Sequence, residues 1–210
     1  MRTFRNRTVR TLGLTGAVAA AALLLAACGE DGSMSGMDHG GKTATTSAAP
    51  SAPSAPSATG SFNDADVMFA QMMIPHHEQA LEMAKLADGR AADAGIKDIV
   101  AAVEKAQDPE IQKMKAWLKG WGRPESAGAG HSMAGMMSEQ DMKRLAGAKG
   151  EDFDRAFAEL MIAHHEGAVT MARDEQRNGA NAEAKALAGE VVRAQTAEIT
   201  ELRKILDRLG

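Results

Sequence analysis

Two adjacent histidine pairs, His76-His77 and His164-His165, each followed by a glutamate and flanked by methionines, hold four of the six histidines in this 210-residue chain. The first block reads Met73-Ile74-Pro75-His76-His77-Glu78-Gln79-Ala80-Leu81-Glu82-Met83-Ala84. The second reads Met161-Ile162-Ala163-His164-His165-Glu166-Gly167-Ala168-Val169-Thr170-Met171-Ala172. Eight of the twelve positions are identical at an offset of 88 residues. On a helix, neighbouring residues point about 100° apart, so the two histidines of a pair aim in different directions. Residues three, four and seven apart share a face. Met73 and Met83 therefore lie on the side of His76, and Met161 and Met171 on the side of His164. Met73 and Met161 also stand four residues before His77 and His165. Imidazole and thioether within one or two turns suit a soft or borderline ion, above all Cu(I), with iron or zinc a poorer fit. A methionine at such a spacing is also an ordinary core filler, and only the repetition of the whole block lifts the metal reading above that one.

Further residues attach to this motif. Glu78 and Glu166 have three candidate roles: hard ligands, outer partners that fix an imidazole tautomer, or a solvated face. Gln107 and Gln195 interrupt apolar faces at equivalent positions, and a buried amide must find a hydrogen bond. Each either orients a histidine across its hairpin or pairs with backbone or its repeat mate. Met34, Met37 and His39 fall in a glycine- and serine-rich stretch, and His131, Met133, Met136 and Met137 in a glycine-rich connection. Such segments have little core to fill, so these seven residues are candidates for auxiliary metal capture.

The elements that must carry these groups are helical. The 88-residue offset also pairs Asp66 with Asp154, Phe69 with Phe157, Gln107 with Gln195, Glu110 with Glu198 and Ile111 with Ile199. A shared register over this distance indicates duplication of one supersecondary unit. Phe69, Met73, His76, Ala80, Met83 and Ala87 trace one helix face, with Asn63 or Asp64 as its N-cap and Asp88-Gly89 as its stop. Ile96 to Leu118 give a second helix ending near Gly120-Trp121-Gly122, in which Pro109 is expected to introduce a kink. Phe157 to Arg173 and Leu187 to Leu209 repeat the scheme around Asn178-Gly179. Ser138 to Leu145 predict a short extra helix capped by Ser138 and Asp141. Nothing reads as strand. Two α-hairpins that bury their apolar faces on each other predict an all-α, antiparallel four-helix bundle. It spans residues 61–210, with repeat halves 61–122 and 151–210 and a Met/His-rich linker 123–150.

The first 27 residues are read as targeting rather than fold. Arg2, Arg5, Arg7 and Arg10 precede an apolar run from Leu12 to Ala27. Leu25-Ala26-Ala27-Cys28 resembles a bacterial lipobox, which implies cleavage before Cys28 and a lipid on that cysteine. Residues 28–60, rich in Gly, Ser, Ala, Thr and Pro, are expected to be a disordered tether. Loss of residues 1–27 leaves 20 basic against 28 acidic side chains, a formal charge of −8. That charge and an aromatic content of 3% exclude nucleic acid as an expected partner. With Cys28 the sole cysteine, an internal disulfide and a cysteine-based zinc or iron–sulfur site are excluded as well.

The duplicated Met-Ile-x-His-His-Glu-x-Ala-x-x-Met-Ala block, with Gln107…Glu110-Ile111 and Gln195…Glu198-Ile199 downstream, resembles the secreted bacterial "domain of unknown function 305" family. The resemblance covers residues 61–208. It implies a ferritin-like four-helix bundle and, through its CopM-like members, extracytoplasmic copper binding at Met73, His76, His77, Met83, Met161, His164, His165 and Met171. Ala163 departs from the Met-Ile-Pro-His-His form that Pro75 keeps, so the two copies are not expected to bind metal equally. The expected protein is anchored outside the cell membrane by a lipid at Cys28. It would hold copper for sequestration, resistance or delivery to a copper-trafficking protein, without a catalytic step. Two alternatives are a ferritin-like di-iron or di-manganese enzyme and a metal-free helical interaction module.

Overall fold

Each long helix starts at a side chain that can take up free backbone N–H groups, or at a glycine that turns the chain. In the computed structural model, which describes residues 60–128 and 133–210, α1 spans Asp64–Leu86, α2 Ala94–Gly120, α3 Glu139–Gly147, α4 Glu151–Asn178 and α5 Ala182–Leu209. Cys28, Met34, Met37, His39 and His131 lie outside the described residues. Asn63 rather than Asp64 caps α1, in a reciprocal box with Asp66. Asp93 caps α2, the Ser138/Asp141 box caps α3, and Asn181 caps α5. The chain enters α4 through Gly150 at φ 61° without a side-chain cap. Glu151, Asp152 and Asp154 in its first turn complement the positive end of the helix instead. That acidic turn places the start of α4 six residues before the expected Phe157. Helix α2 runs through Pro109 without a break, as α1 does through Pro75. Among the described residues there is no strand, and no helix is long and apolar enough to cross a membrane.

Helices α1 and α2 form one antiparallel hairpin, and α4 and α5 the other. The two hairpins meet with α1 against α4 and α2 against α5. Reciprocal clamps set their register. Asp66 near the start of α1 accepts from the backbone N–H groups of Ala180 and Asn181 in the α4–α5 turn, at 2.8 to 3.1 Å. Its repeat mate Asp154 accepts from Ala92 and Asp93 in the α1–α2 turn, at 2.8 to 3.2 Å. Both carboxylates are buried, and each satisfies turn amides that would otherwise be left bare. At opposite ends of the α2/α5 contact, Arg208 pairs with Asp93, and the Trp117 indole donates to Glu183. The result is an antiparallel four-helix bundle of approximate two-fold symmetry, with α3 packed against α1 and α4.

The apolar core is divided. One cluster includes Phe69, Met73, Met114, Trp117, Leu118 and Leu187. The other includes Met83, Ile96, Phe153, Phe157, Met161 and Leu202. Buried polar side chains occupy the sequence positions between them on all four long helices: His76 and His77 on α1, Gln107 on α2, His164 and His165 on α4, and Gln195 on α5. A polar layer thus crosses the bundle at mid-height.

Candidate metal centre

All four motif histidines are buried, at 0 to 1% exposure. They converge because α1 and α4 cross at the layer. The His76 and His164 rings stack at 3.8 Å between centroids, tilted by 40°, and the His164 and His165 centroids are 6.4 Å apart. Each hairpin backs one histidine with a carboxylate from its second helix. His77 Nε2 lies 2.8 Å from Glu110 Oε2. His165 Nε2 lies 2.8 Å from Glu198 Oε2, with its N–H off the line to the oxygen. His76 Nε2 meets the carbonyl oxygen of Ala134 at 3.2 Å.

These partners decide the tautomers. A carbonyl or carboxylate oxygen only accepts, so the ring nitrogen facing it must carry the proton. His76 and His77 therefore hold their protons on Nε2. The Nδ1 atoms of all four rings are buried and have no hydrogen-bond partner among the described residues; the Nε2 atoms of His164 and His165 have none either. Bare lone pairs on rings whose other nitrogen is held by a carboxylate or a carbonyl are the arrangement that metal-binding histidines use. Burial, reinforced by repulsion from neighbouring imidazoles, pushes His76 down to about 3 and His164 well below its ordinary value. Both rings are then neutral at pH 7 and need lose no proton to bind a metal.

Among the described residues no three His, Cys, Asp or Glu side chains stand together as a finished ligand set. The thioethers nearest in sequence are those of Met73 and Met161, both fully buried one turn before the histidines. Met83 and Met171 follow His76 and His164 by two turns, a rise of about 10 Å. Met83 packs in the second apolar cluster, and Met171 is only partly buried against the first. Glu78 and Glu166 point to the surface, where they pair with Lys115 and Arg203 at 2.9 and 2.7 Å. Of their three candidate roles, the solvated face is the one the structure shows. Gln107 and Gln195 are buried, yet their Oε1 atoms reach neither a histidine nor each other. They line a narrow crevice between α2 and α5 together with Glu110 and Glu198.

Comparison with known proteins fits this arrangement. The family model "domain of unknown function (DUF305)" matches residues 66–206. The chain belongs to the DUF305 family. A DUF305 protein of Streptomyces coelicolor has a TM-score of 0.66 at 29% identity, over 70% of this chain and 94% of that one. CopM in its Cu(II)-bound form gives 0.61 at 33% identity, over 69% and 97%. CopM in its Cu(I)-bound form gives 0.60 at 33% identity, over 68% and 96%. No curated protein matches.

In this DUF305 chain the linker between the hairpins is part of the centre. Gln71 donates to the carbonyls of Pro124 and Ser126 and ties the start of the linker to α1. The Gln79 amide donates to Met137 O at 3.0 Å and accepts from Met137 N at 2.7 Å, and so grips the backbone on both sides. Between these ties Ala134 and Gly135 lie on α4. A Cβ at Gly135, which sits at φ 82°, would approach the carbonyl oxygens of Ala163 and His164 to 2.8 and 2.9 Å. A Cβ at Gly167 would meet Ala134 O at 2.1 Å. Gly167 is the repeat mate of Gln79. One copy of the motif grips the strap with an amide, and the other makes room for it. Among the described residues, His76 is the one motif histidine whose ring hydrogen-bonds to the strap, so the two copies are inequivalent for a reason beyond Pro75. Met133, Met136 and Met137 sit on this strap, each half-buried.

Gly167→Ala is expected to lift the strap. The forced contact should cost about 1–3 kcal/mol, as overpacking does. Hydrogen exchange in residues 133–138 should quicken, while exchange in α2 and α5 should not change. Wild-type thermal stability together with wild-type exchange at these amides would show that the strap does not pack on α4.

Glu110 and Glu198 are the residues that sequence reasoning passed over. Their signal was present, since the 88-residue offset pairs them. Gln107 and Gln195 precede them by three residues on the same face and drew the role of histidine partner instead.

Proposed function

We propose that this protein is an extracytoplasmic, lipid-anchored copper-binding protein that sequesters the metal for resistance or delivery and catalyses no reaction. One observation carries the reading: four buried, closely spaced imidazoles with partnerless Nδ1 atoms, two of them backed by Glu110 and Glu198. An isolated bundle would gain nothing from such a layer, because each unpaired buried acceptor costs about 1–3 kcal/mol. A bound ion converts that cost into coordination.

His76, His77, His164 and His165 are the proposed core ligands. Met73 and Met161 add thioether, and soft sulfur beside imidazole selects Cu(I) over harder divalent ions. Met83 and Met171 are outlying members of the motif set. Glu110 and Glu198 orient the rings. Met133, Met136 and Met137 add auxiliary capture on the strap, with His131, Met34, Met37 and His39 proposed for the same task. The Cu(II)-bound and Cu(I)-bound forms of CopM support copper as the cargo. Silver-bound CopM extends this to a second soft ion. The description of the Streptomyces relative as a secreted protein supports an extracytoplasmic location, to which the lipobox at Cys28 adds a membrane anchor. A copper-trafficking protein is the proposed recipient.

The test is a competition titration of the full-length chain with Cu(I), Cu(II), Zn(II) and Fe(II) at pH 7 and pH 5. Cu(I) should bind most tightly and weaken towards pH 5, because protons compete for imidazole but not for thioether. Iron binding accompanied by oxygen consumption would favour a di-iron enzyme. No binding of any of the four ions would leave only the metal-free interaction module.

A further inference from the structure

Burial sorts the methionines into two populations. Met73, Met83, Met114 and Met161 are fully enclosed, as core fillers are. Met68, Met72 and Met171 are not. Met68 is 38% exposed, and Met72 and Met171 are half-buried. All three line one groove of about 410 Å³ between α1 and the C-terminal half of α4. Met68 and Met72 are four residues apart, so their side chains stack on the same face of α1. Met171 comes from the opposite wall.

Core packing does not explain this trio, because a half-open groove returns little of the burial energy that places methionine inside. Glu175, one turn after Met171, lines the same groove at 2% exposure, with its carboxyl facing that of Asp66. Asp174 stands on the exposed rim, where Arg177 pairs with it, and no Lys or Arg is among the groove's lining residues. Thioether from two walls is a donor set for a soft monovalent cation and a poor one for Mg²⁺ or Ca²⁺, which require oxygen throughout. Position adds direction. Met68, Met72 and His76 follow one another at intervals of four on α1, leading from the surface to the buried imidazole layer.

We infer that Met68, Met72 and Met171 form a separate surface site for Cu(I) or Ag(I), from which the ion passes down α1 to the histidine layer. The inference rests on the copper-binding reading above and adds to it Met68 and Met72, which lie outside the duplicated motif, and a route that joins them and Met171 to the histidine layer.

The test uses the full-length chain with methyl-¹³C methionine, titrated with Ag(I) as a spectroscopically silent, redox-inert probe. Single Met→Leu variants assign the methyl resonances. The methyl signals of Met68, Met72 and Met171 should shift together and saturate, and a Met68→Leu/Met72→Leu/Met171→Leu variant should bind one ion fewer. Its transfer of Ag(I) to the histidine layer, followed by the imidazole proton shifts, should slow by about tenfold or more. Leucine conserves the volume of methionine, so the triple variant should keep its helical circular dichroism. Unmoved methyl signals at these three positions, while the histidine signals shift at the wild-type rate, would overturn the surface site and leave the copper reading intact. If neither the methyl nor the histidine signals respond to Ag(I), both readings fall.

Discussion

The metal-free protein is expected to be most stable near pH 6.5 and to lose stability on both sides, for two separate reasons. On the acid side, His76 takes up its proton only near pH 3 in the folded chain, against 6.5 as its ordinary value, and His164 is held well below 6.5 too. Between those values the unfolded chain binds more protons than the folded one, so stability falls as pH falls. Each such group contributes about 1.4 kcal/mol per pH unit. On the alkaline side, Glu175 behaves in the opposite sense. Burial, with the Asp66 carboxyl beside it, pushes Glu175 up to about 8 from 4.5. Here the folded chain holds the extra proton, so its contribution is full below 4.5 and is lost as pH rises towards 8. Between 4.5 and 6.5 the two effects oppose, and two depressed histidines outweigh one raised carboxyl, so stability still falls as pH falls. Below 4.5 Glu175 no longer offsets the histidines, and Asp66, held below its ordinary value by backbone N–H groups despite its burial, adds to the loss, so the slope steepens. Urea unfolding between pH 4 and 9 measures the profile. Glu175→Gln should flatten the alkaline limb and steepen the acid limb between pH 4.5 and 6.5, where Glu175 no longer offsets the histidines. A wild-type profile that is flat from pH 4 to 8, or an alkaline limb that survives Glu175→Gln, would contradict the roles assigned to these buried groups.

Replacing His76 and His164 together by leucine is expected to stabilise the metal-free bundle and remove its tight copper binding at once. Leucine fills a similar volume and takes two bare Nδ1 atoms and the unpaired His164 Nε2 out of the core. At about 1–3 kcal/mol for each buried unsatisfied group, the gain should outweigh the one bond lost to Ala134 O and reach about 2 kcal/mol net. For a chain of this size that raises the melting temperature by about 4–8 °C. Cu(I) affinity should drop by more than about 100-fold, since even the outer partners of metal-bound histidines carry 10- to 100-fold. Stability and function would then trade against each other at one layer. Thermal melts with and without Cu(I) read both. A double variant that melts lower than the wild type and still gains the wild-type increment from Cu(I) would mean that the layer serves the fold and not the metal.

Much of this protein was legible as a one-dimensional pattern. The 88-residue repeat, the spacings of three and four, and cap residues such as Asn63 and Ser138 with Asp141 are local features. Helix formation responds to local features, because its hydrogen bonds close within four residues. The same locality made the histidine blocks visible and placed them on inward faces. What periodicity leaves open is who stands across from an inward residue. Gln107 and Glu110 share a face of α2, and only the axial register of α1 against α2 decides that Glu110 reaches His77. That register depends on contacts far apart in sequence, with Asp66 on the α4–α5 turn and Asp154 on the α1–α2 turn. The same applies to the methionines, which are chemically alike along the chain: a sequence cannot tell Met161, enclosed among apolar side chains, from Met68, Met72 and Met171, which meet in a groove only when α1 lies beside α4. The exchange of Gln79 for Gly167 reads as a lapse in the repeat until the linker is seen crossing the bundle, where one position grips the strap and the other yields space to it. Sequence alone determined the helices, their inward faces and the donor types. Tertiary structure decided which donors meet, because that depends on the relative placement of rigid helices, which long-range packing and buried polar clamps fix.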